Sequence, residues 1–248
     1  MSSSQSPSSW APASLLGRLV KVCPGEGQAL LLSSAYFFCL MLGYYLLRPL
    51  REAMGIARGA DKLPWLMTGT LLVMLLANPA FAALVSKLPR RRFIPMAYRF
   101  FGLNLVIFFL LFRLLPGHGG VVLGYTFYIW LSVYNLFVVS VFWGFMGDLF
   151  DEHQGKRLFG FIAMGGTLGA ILGAGLTEGL SQGALLGFTL PFKATPSALV
   201  LVAAAFLELA VQCVLALARL HKLGNEAGGA REPGPGLMEG LRLITQSR

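Results

Sequence analysis

The chain has 248 residues, 56% hydrophobic and 12% charged, with a mean hydropathy of +0.68 and a formal net charge of +9. About a quarter of the residues of a soluble domain are charged, so this composition excludes an ordinary soluble fold and indicates a membrane protein. The excess of Lys and Arg falls in short clusters beside apolar runs, where it orients helices, rather than along one soluble face, so no nucleic-acid partner is expected.

The first residues, "MSSSQSPSSWAPAS", are polar and lack the basic stretch running directly into an apolar one that marks a cleaved signal. Residues 1–28 read as a disordered cytoplasmic tail, and the apolar run after them as an uncleaved signal-anchor. A helix needs roughly 20 apolar residues to cross the hydrocarbon core. Six segments qualify: 29–47, 63–86 with a helix-bending Asn78-Pro79, 93–112, 120–147, 158–177 and 194–218. They are too long and too uniformly apolar for barrel strands, and lipid requires every backbone polar group to be satisfied internally. The fold class expected is therefore all-α, a polytopic bundle of six spans over residues 29–223. No internal repeat relates its first and second halves.

Orientation follows from the basic residues between spans. The second connection, "SKLPRRRF", holds Lys87, Arg90, Arg91 and Arg92; the fourth holds Lys156 and Arg157; Arg219 and Lys222 follow the sixth span, and Arg18 and Lys21 precede the first. The other side has Arg58, Lys62, His118 and Lys193. The inside-positive bias then places both chain ends in the cytoplasm. Beyond the last span, "GNEAGGAREPGPG" is a linker, and Leu237, Leu241 and Ile244 begin an amphipathic helix suited to a membrane surface, so residues 224–248 form a cytoplasmic extension.

Three charges crowd the end of the first span in "YYLLRPLREAMG". Glu52 follows Arg48 by four residues and shares its helix face if the helix survives Pro49, while Arg51 projects elsewhere. Two readings stay open: the arginines are anchors reaching the membrane interface, or they line a polar cavity whose ligand is an anion, since guanidinium suits phosphate and carboxylate. On the outer side the inside-positive bias gives no reason for them.

Glu208 lies at the middle of the sixth span with Gln212 one turn later. A carboxyl there costs at least a few kcal/mol and normally faces a bundle interior or a watery path. It serves coupling or cavity lining, or it is a neutral carboxyl bonded to a neighbouring helix. Arg99, near the cytoplasmic end of the third span, reads as a snorkelling side chain. In the fifth span Gly165, Gly169 and Gly173 recur every four residues, a small-residue stripe for close helix packing and not a nucleotide loop. At the inner end of the fourth span Asp148, Asp151 and Glu152 precede Lys156 and Arg157; they either lock two helix ends as a gate or form a plain solvated loop. Cys23, Cys39 and Cys213 lie far apart and read as small apolar fillers. No catalytic set, metal cluster or cofactor motif is expected, and the chain does not read as an enzyme.

Together, "YYLLRPLREAMG", "KLPRRRF" and "FVVSVFWGFMGDLFDEHQGKRLFGFIAMGGTLGAILG" resemble the N-terminal half of a major facilitator superfamily transporter. Within that superfamily the motif order is similar to the bacterial proteins grouped with the ATP:ADP antiporters, the nucleotide exchangers of obligate intracellular bacteria and plastids. The resemblance implies a fold of six plus six helices, a central cavity, and alternating access in a bacterial inner membrane. The exchangers carry a first-helix motif LR-x-x-K-D; Leu47, Arg48, Arg51 and Glu52 match it with Arg for Lys and Glu for Asp, which implies an anionic substrate. The exchangers also carry a glutamate in the fourth helix, whereas residues 120–147 have no charge, a departure that puts nucleotide exchange in question. A carrier of this type needs a C-terminal half or a second copy to close its cavity. The alternative is a membrane scaffold built on a facilitator half.

Overall fold

The computed structural model describes residues 26–57, 59–87, 90–115, 118–182, 184–185, 188–189 and 195–228. The N-terminal tail to residue 25, the linker from 229 and the amphipathic segment after it lie outside these. Among the described residues the chain forms helices α1 (Gly27–Ile56), α2 (Leu63–Lys87), α3 (Arg90–Leu114), α4 (His118–Leu149), α5 (Glu152–Gln182) and α6 (Pro196–Gly228). A single 3-10 turn, Ala60–Lys62, precedes α2. The β structure among the described residues is one antiparallel pair before α6, Ala184–Leu185 with Phe188–Thr189, registered Ala184 to Thr189.

Five of these helices are long and apolar enough to cross a membrane: Gly27–Ile56, Phe93–Leu114, Val122–Leu149, Glu152–Gln182 and Ser197–Leu220. The expected second span differs. Its described apolar stretch, Leu63–Pro79, is shorter than these, and the side chains after Pro79, including the Lys87–Arg92 basic cluster, lie outside the described residues.

The first helix runs past the predicted end at residue 47, straight through Pro49 to Ile56. Proline leaves the Tyr45 carbonyl without its usual donor and crowds it. The flanking Leu, Arg, Glu, Ala and Met residues are good helix formers. One residue further on, the Thr177 hydroxyl of α5 donates to the Leu46 carbonyl at 2.9 Å, which adds an outside bond where the ladder is weakest. The helix ends at Ile56, and three residues on, Gly59 donates its amide to the Ile56 carbonyl at 3.0 Å with a φ of 106°, in the left-handed region that glycine adopts without strain.

α1 is the centre of the bundle, packed against α4, α5 and α6; α3 lies on α6 and α4, and α2 rests mainly on α4. The α1–α5 contact is made by glycines. A Cβ on Gly165 would lie 2.7 Å from the Ser34 carbonyl oxygen, and one on Gly173 2.6 Å from that of Leu42. Gly169 stands closer still to the Phe38 carbonyl oxygen, and Gly166 sits under the Phe37 ring. Backbone therefore meets backbone along three turns, which only residues without side chains permit.

On its other sides α1 meets aromatics. Phe37 stacks on Phe142 with centroids 4.3 Å apart, and Tyr36 meets the same ring edge-on at 4.9 Å. The Tyr36 and Tyr98 hydroxyls are bonded to one another, and Tyr98 donates to the Val138 carbonyl at 3.2 Å. That chain joins α1, α3 and α4 and leaves neither buried phenol unsatisfied, which a membrane interior requires.

Candidate functional site: a basic recess at the end of α1

Because α1 continues past Pro49, its last two turns carry Arg48, Arg51 and Glu52 as a helical cluster. Glu52 Oε1 lies 3.9 Å from Arg48 Nε, one turn back, and 3.4 Å from Arg51 Nη2. The sequence expectation that Arg51 projects away from Glu52 is thus corrected: the flexible glutamate reaches both guanidiniums. Their environments differ. Arg48 is half-exposed and lies over the Tyr45 ring, whereas Arg51 retains 18% of its side-chain exposure.

Arg51 is held by α4. Its guanidinium carbon lies 4.5 Å from the Tyr128 ring centroid and its Nη2 donates to the Tyr128 hydroxyl at 3.3 Å. Gly55 makes this approach possible, since a Cβ there would come within 2.8 Å of the Tyr128 ring. Beside the pair opens a recess of roughly 230 Å³ whose walls are Arg51 of α1, Met67, Thr70 and Met74 of α2, and Tyr128, Ser132 and Asn135 of α4. Arg51 Nε is buried and has no hydrogen-bond partner among the described residues. Two cations share one carboxylate here, so the cluster carries net positive charge.

The sequence reading missed the α4 wall. Tyr128, Ser132 and Asn135 recur at spacings of four and three residues within an otherwise apolar helix, which places them on one face. That polar stripe was the available signal.

Glu208 and Gln212 stand elsewhere. The packed stripe of α6 is Ala203, Leu207, Ala210, Val214 and Leu217, while Leu201, Ala205, Glu208, Gln212 and Arg219 form the opposite, exposed one. The expectation that Glu208 faces a bundle interior is therefore corrected: its side chain is 48% exposed, and α6 contributes nothing to the recess. Its partner is Arg99 of α3, whose Nη2 lies 3.3 Å away, and Gln212 Nε2 donates to the same carboxylate oxygen at 2.7 Å. Arg99 is thus one half of an interhelical ion pair as well as a residue close to a helix end.

The charges expected to form an inner gate lie at the facing ends of two helices, α4 and α5, and Lys156 and Arg157 take different partners. Asp148 is exposed on the last turn of α4. Asp151 caps α5: its amide donates to Gln154 Oε1 at 3.0 Å and its carbonyl accepts from the Gly155 amide at 2.7 Å. Lys156 pairs with Glu152 at 2.6 Å in an exposed i,i+4 bridge, worth only tenths of a kcal/mol. Arg157 crosses to the head of α1 and bonds both oxygens of Glu26, at 2.9 and 2.7 Å, while Gln154 donates to Glu26 at 2.8 Å. Glu26, unremarked in the sequence reading, ties α1 to α5.

Among the described residues no group of three His, Cys, Asp or Glu is placed to hold a metal ion. Comparison of the chain with family models, curated proteins and solved structures gives no match.

Proposed function

We propose that the chain is the N-terminal six-span half of a facilitator-type secondary carrier, resident in a bacterial inner membrane with both ends cytoplasmic, and that it moves a small anionic solute by alternating access. One observation carries the reading: Arg51, largely withdrawn from solvent on a helix long and apolar enough to span, faces a recess of mixed polar and apolar lining with a buried Nε that no described group satisfies. A guanidinium so held is preorganised for a carboxylate or phosphate, and Ser132, Asn135 and Thr70 supply neutral hydrogen-bonding groups to the remainder of a solute. In this reading α2 also crosses the membrane, as the second of six spans, and a C-terminal half or a second copy closes the cavity. Nucleotides stand first among the solutes to try, on the strength of the Leu47, Arg48, Arg51 and Glu52 motif.

The test is exchange of labelled ADP, phosphate and dicarboxylates in liposomes holding the complete carrier. Arg51→Ala abolishes uptake at unchanged membrane abundance, and Arg51→Lys, which keeps the charge but loses the planar fork, retains part of it. Normal uptake by Arg51→Ala refutes the assignment. The second reading, a non-transporting scaffold, is favoured by the polar Arg99–Glu208 seam on the outside of the bundle. It predicts no saturable solute and a protein that co-purifies in fixed ratio.

A further inference from the structure

The Arg99–Glu208–Gln212 group is anomalous for a surface that meets lipid. Glu208 is eleven residues from Ser197 and twelve from Leu220, the ends of the α6 span, so it lies about 17 Å from either end at about 1.5 Å per residue. A glutamate side chain is too short to reach an interface from there. Arg99 lies six residues inside the α3 span, which begins at Phe93, and its guanidinium lies against the carboxylate.

Pairing cancels the net charge but leaves the hydrogen bonding incomplete. Both bonds to Glu208 end on Oε1. Among the described residues Oε2 of Glu208 and Oε1 of Gln212 receive no donor, and Arg99, with five N–H groups, uses one. Both charged side chains are about half-exposed, 57% for Arg99 and 48% for Glu208. Hydrocarbon offers neither donor nor acceptor, so each open site in lipid costs free energy.

An occupant must bring donors to Glu208 and Gln212 and an acceptor to Arg99 on the same few square ångströms. A second copy of this seam, turned by a two-fold axis, carries that set: its cation faces the first copy's carboxylate, and the two amides face one another. Such self-complementarity is what an isologous interface requires. Ala205, one turn before Glu208 and exposed, leaves room for the helices to approach. Leu103 of α3 and Leu209 of α6, both exposed, flank the polar group with apolar surface.

We infer that the α3–α6 seam is a two-fold interface between copies of this chain, joined in the membrane by the Arg99, Glu208 and Gln212 groups of both. The recess is walled by α1, α2 and α4, so the interface leaves it open, and the inference rests on membrane insertion alone and not on transport.

The test uses the full chain in lipid vesicles. Single-molecule photobleaching of the labelled chain at low density is expected to give two steps per particle. In a background with all three cysteines replaced by alanine, Ala205→Cys is expected to give a band at twice the monomer mass on oxidation with copper phenanthroline, and Leu168→Cys, exposed on α5, none. Glu208→Leu with Gln212→Leu is expected to lower the dimer fraction at least tenfold while helicity and monomer yield are kept. Single-step bleaching at every density overturns the inference. So do cross-linking at Leu168→Cys and not at Ala205→Cys, an undiminished dimer in the double leucine variant, or a different protein held at the seam in fixed ratio.

Discussion

Replacing Gly173 with alanine adds one methyl group where α5 touches the backbone of α1. That Cβ would stand 2.6 Å from the Leu42 carbonyl oxygen, 3.1 Å from Tyr45 Cβ and 3.2 Å from Leu42 Cα, whereas real Cβ contacts essentially never fall below 3.0 Å. Leu42 is mid-helix, so its carbonyl cannot swing aside, and α1 must retreat as a body by at least about 0.4 Å. Such a retreat forfeits part of the dispersion contact along the glycine stripe. It also lengthens the Thr177 bond to Leu46, now 2.9 Å. Overpacking of this kind costs about 1–3 kcal/mol, which for a chain of this size is roughly 2–12 °C in melting temperature.

The control is Gly160→Ala on the same helix, where nothing lies within 4 Å and the better helix propensity of alanine makes the change neutral or stabilising. Thermal unfolding in mild detergent, followed by tryptophan fluorescence, compares the two. Equal melting temperatures for Gly173→Ala and Gly160→Ala would refute the backbone-to-backbone packing of α1 on α5.

Two further outcomes follow from the charged and aromatic contacts. Glu26→Gln and Arg157→Gln each lower stability by about 1–3 kcal/mol, the worth of hydrogen bonds to a partly buried charge; the double variant loses less than the sum, and additivity in a double-mutant cycle would remove the α1–α5 tie. Gly55→Ala pushes the Tyr128 ring off its position 2.8 Å from the new Cβ and so shifts the platform under Arg51; about tenfold weaker solute binding at little changed maximal rate is expected, and an unchanged half-saturation concentration would separate Gly55 from the recess.

Five helices long and apolar enough to span were legible because each is a long apolar run, and the glycine stripe because a four-residue period of small side chains suits close helix packing. What the sequence could not reveal was partnership. Arg99 and Glu208 are 109 positions apart, and Glu26 and Arg157 131 apart; neither local spacing nor charge relates them, because the helices that bear them meet only after the bundle assembles. Pro49 left the end of the first helix open. A proline near the end of an apolar run reads as a boundary, but here a hydroxyl from another helix sits at the weakened turn and the helix continues to Ile56. The side on which Glu208 lies was equally hidden, since a mid-span carboxylate argues for cover without saying whether this bundle or another provides it.

The two intramembrane charge groups divide the work by their arithmetic. Arg99 and Glu208 form one cation with one anion, a neutral pair with no lasting attraction for a charged solute, set on the seam of two helices that do not wall the recess beside Arg51. Arg48, Arg51 and Glu52 are two cations with one anion, and the better buried cation faces the recess. In the proposed carrier selection by charge falls to the second group, and in the inferred two-fold interface association, which rewards groups that bond equally well to copies of themselves, falls to the first. α1 carries this asymmetry along its length: Glu26 at its head is bonded to Arg157 of α5, and Arg51 near its end stacks on Tyr128 of α4. A displacement of α1 against α5 must therefore break a charged tie at one end and move Arg51 at the other, which makes the packing tested by Gly173→Ala a condition of the recess as well as of the fold.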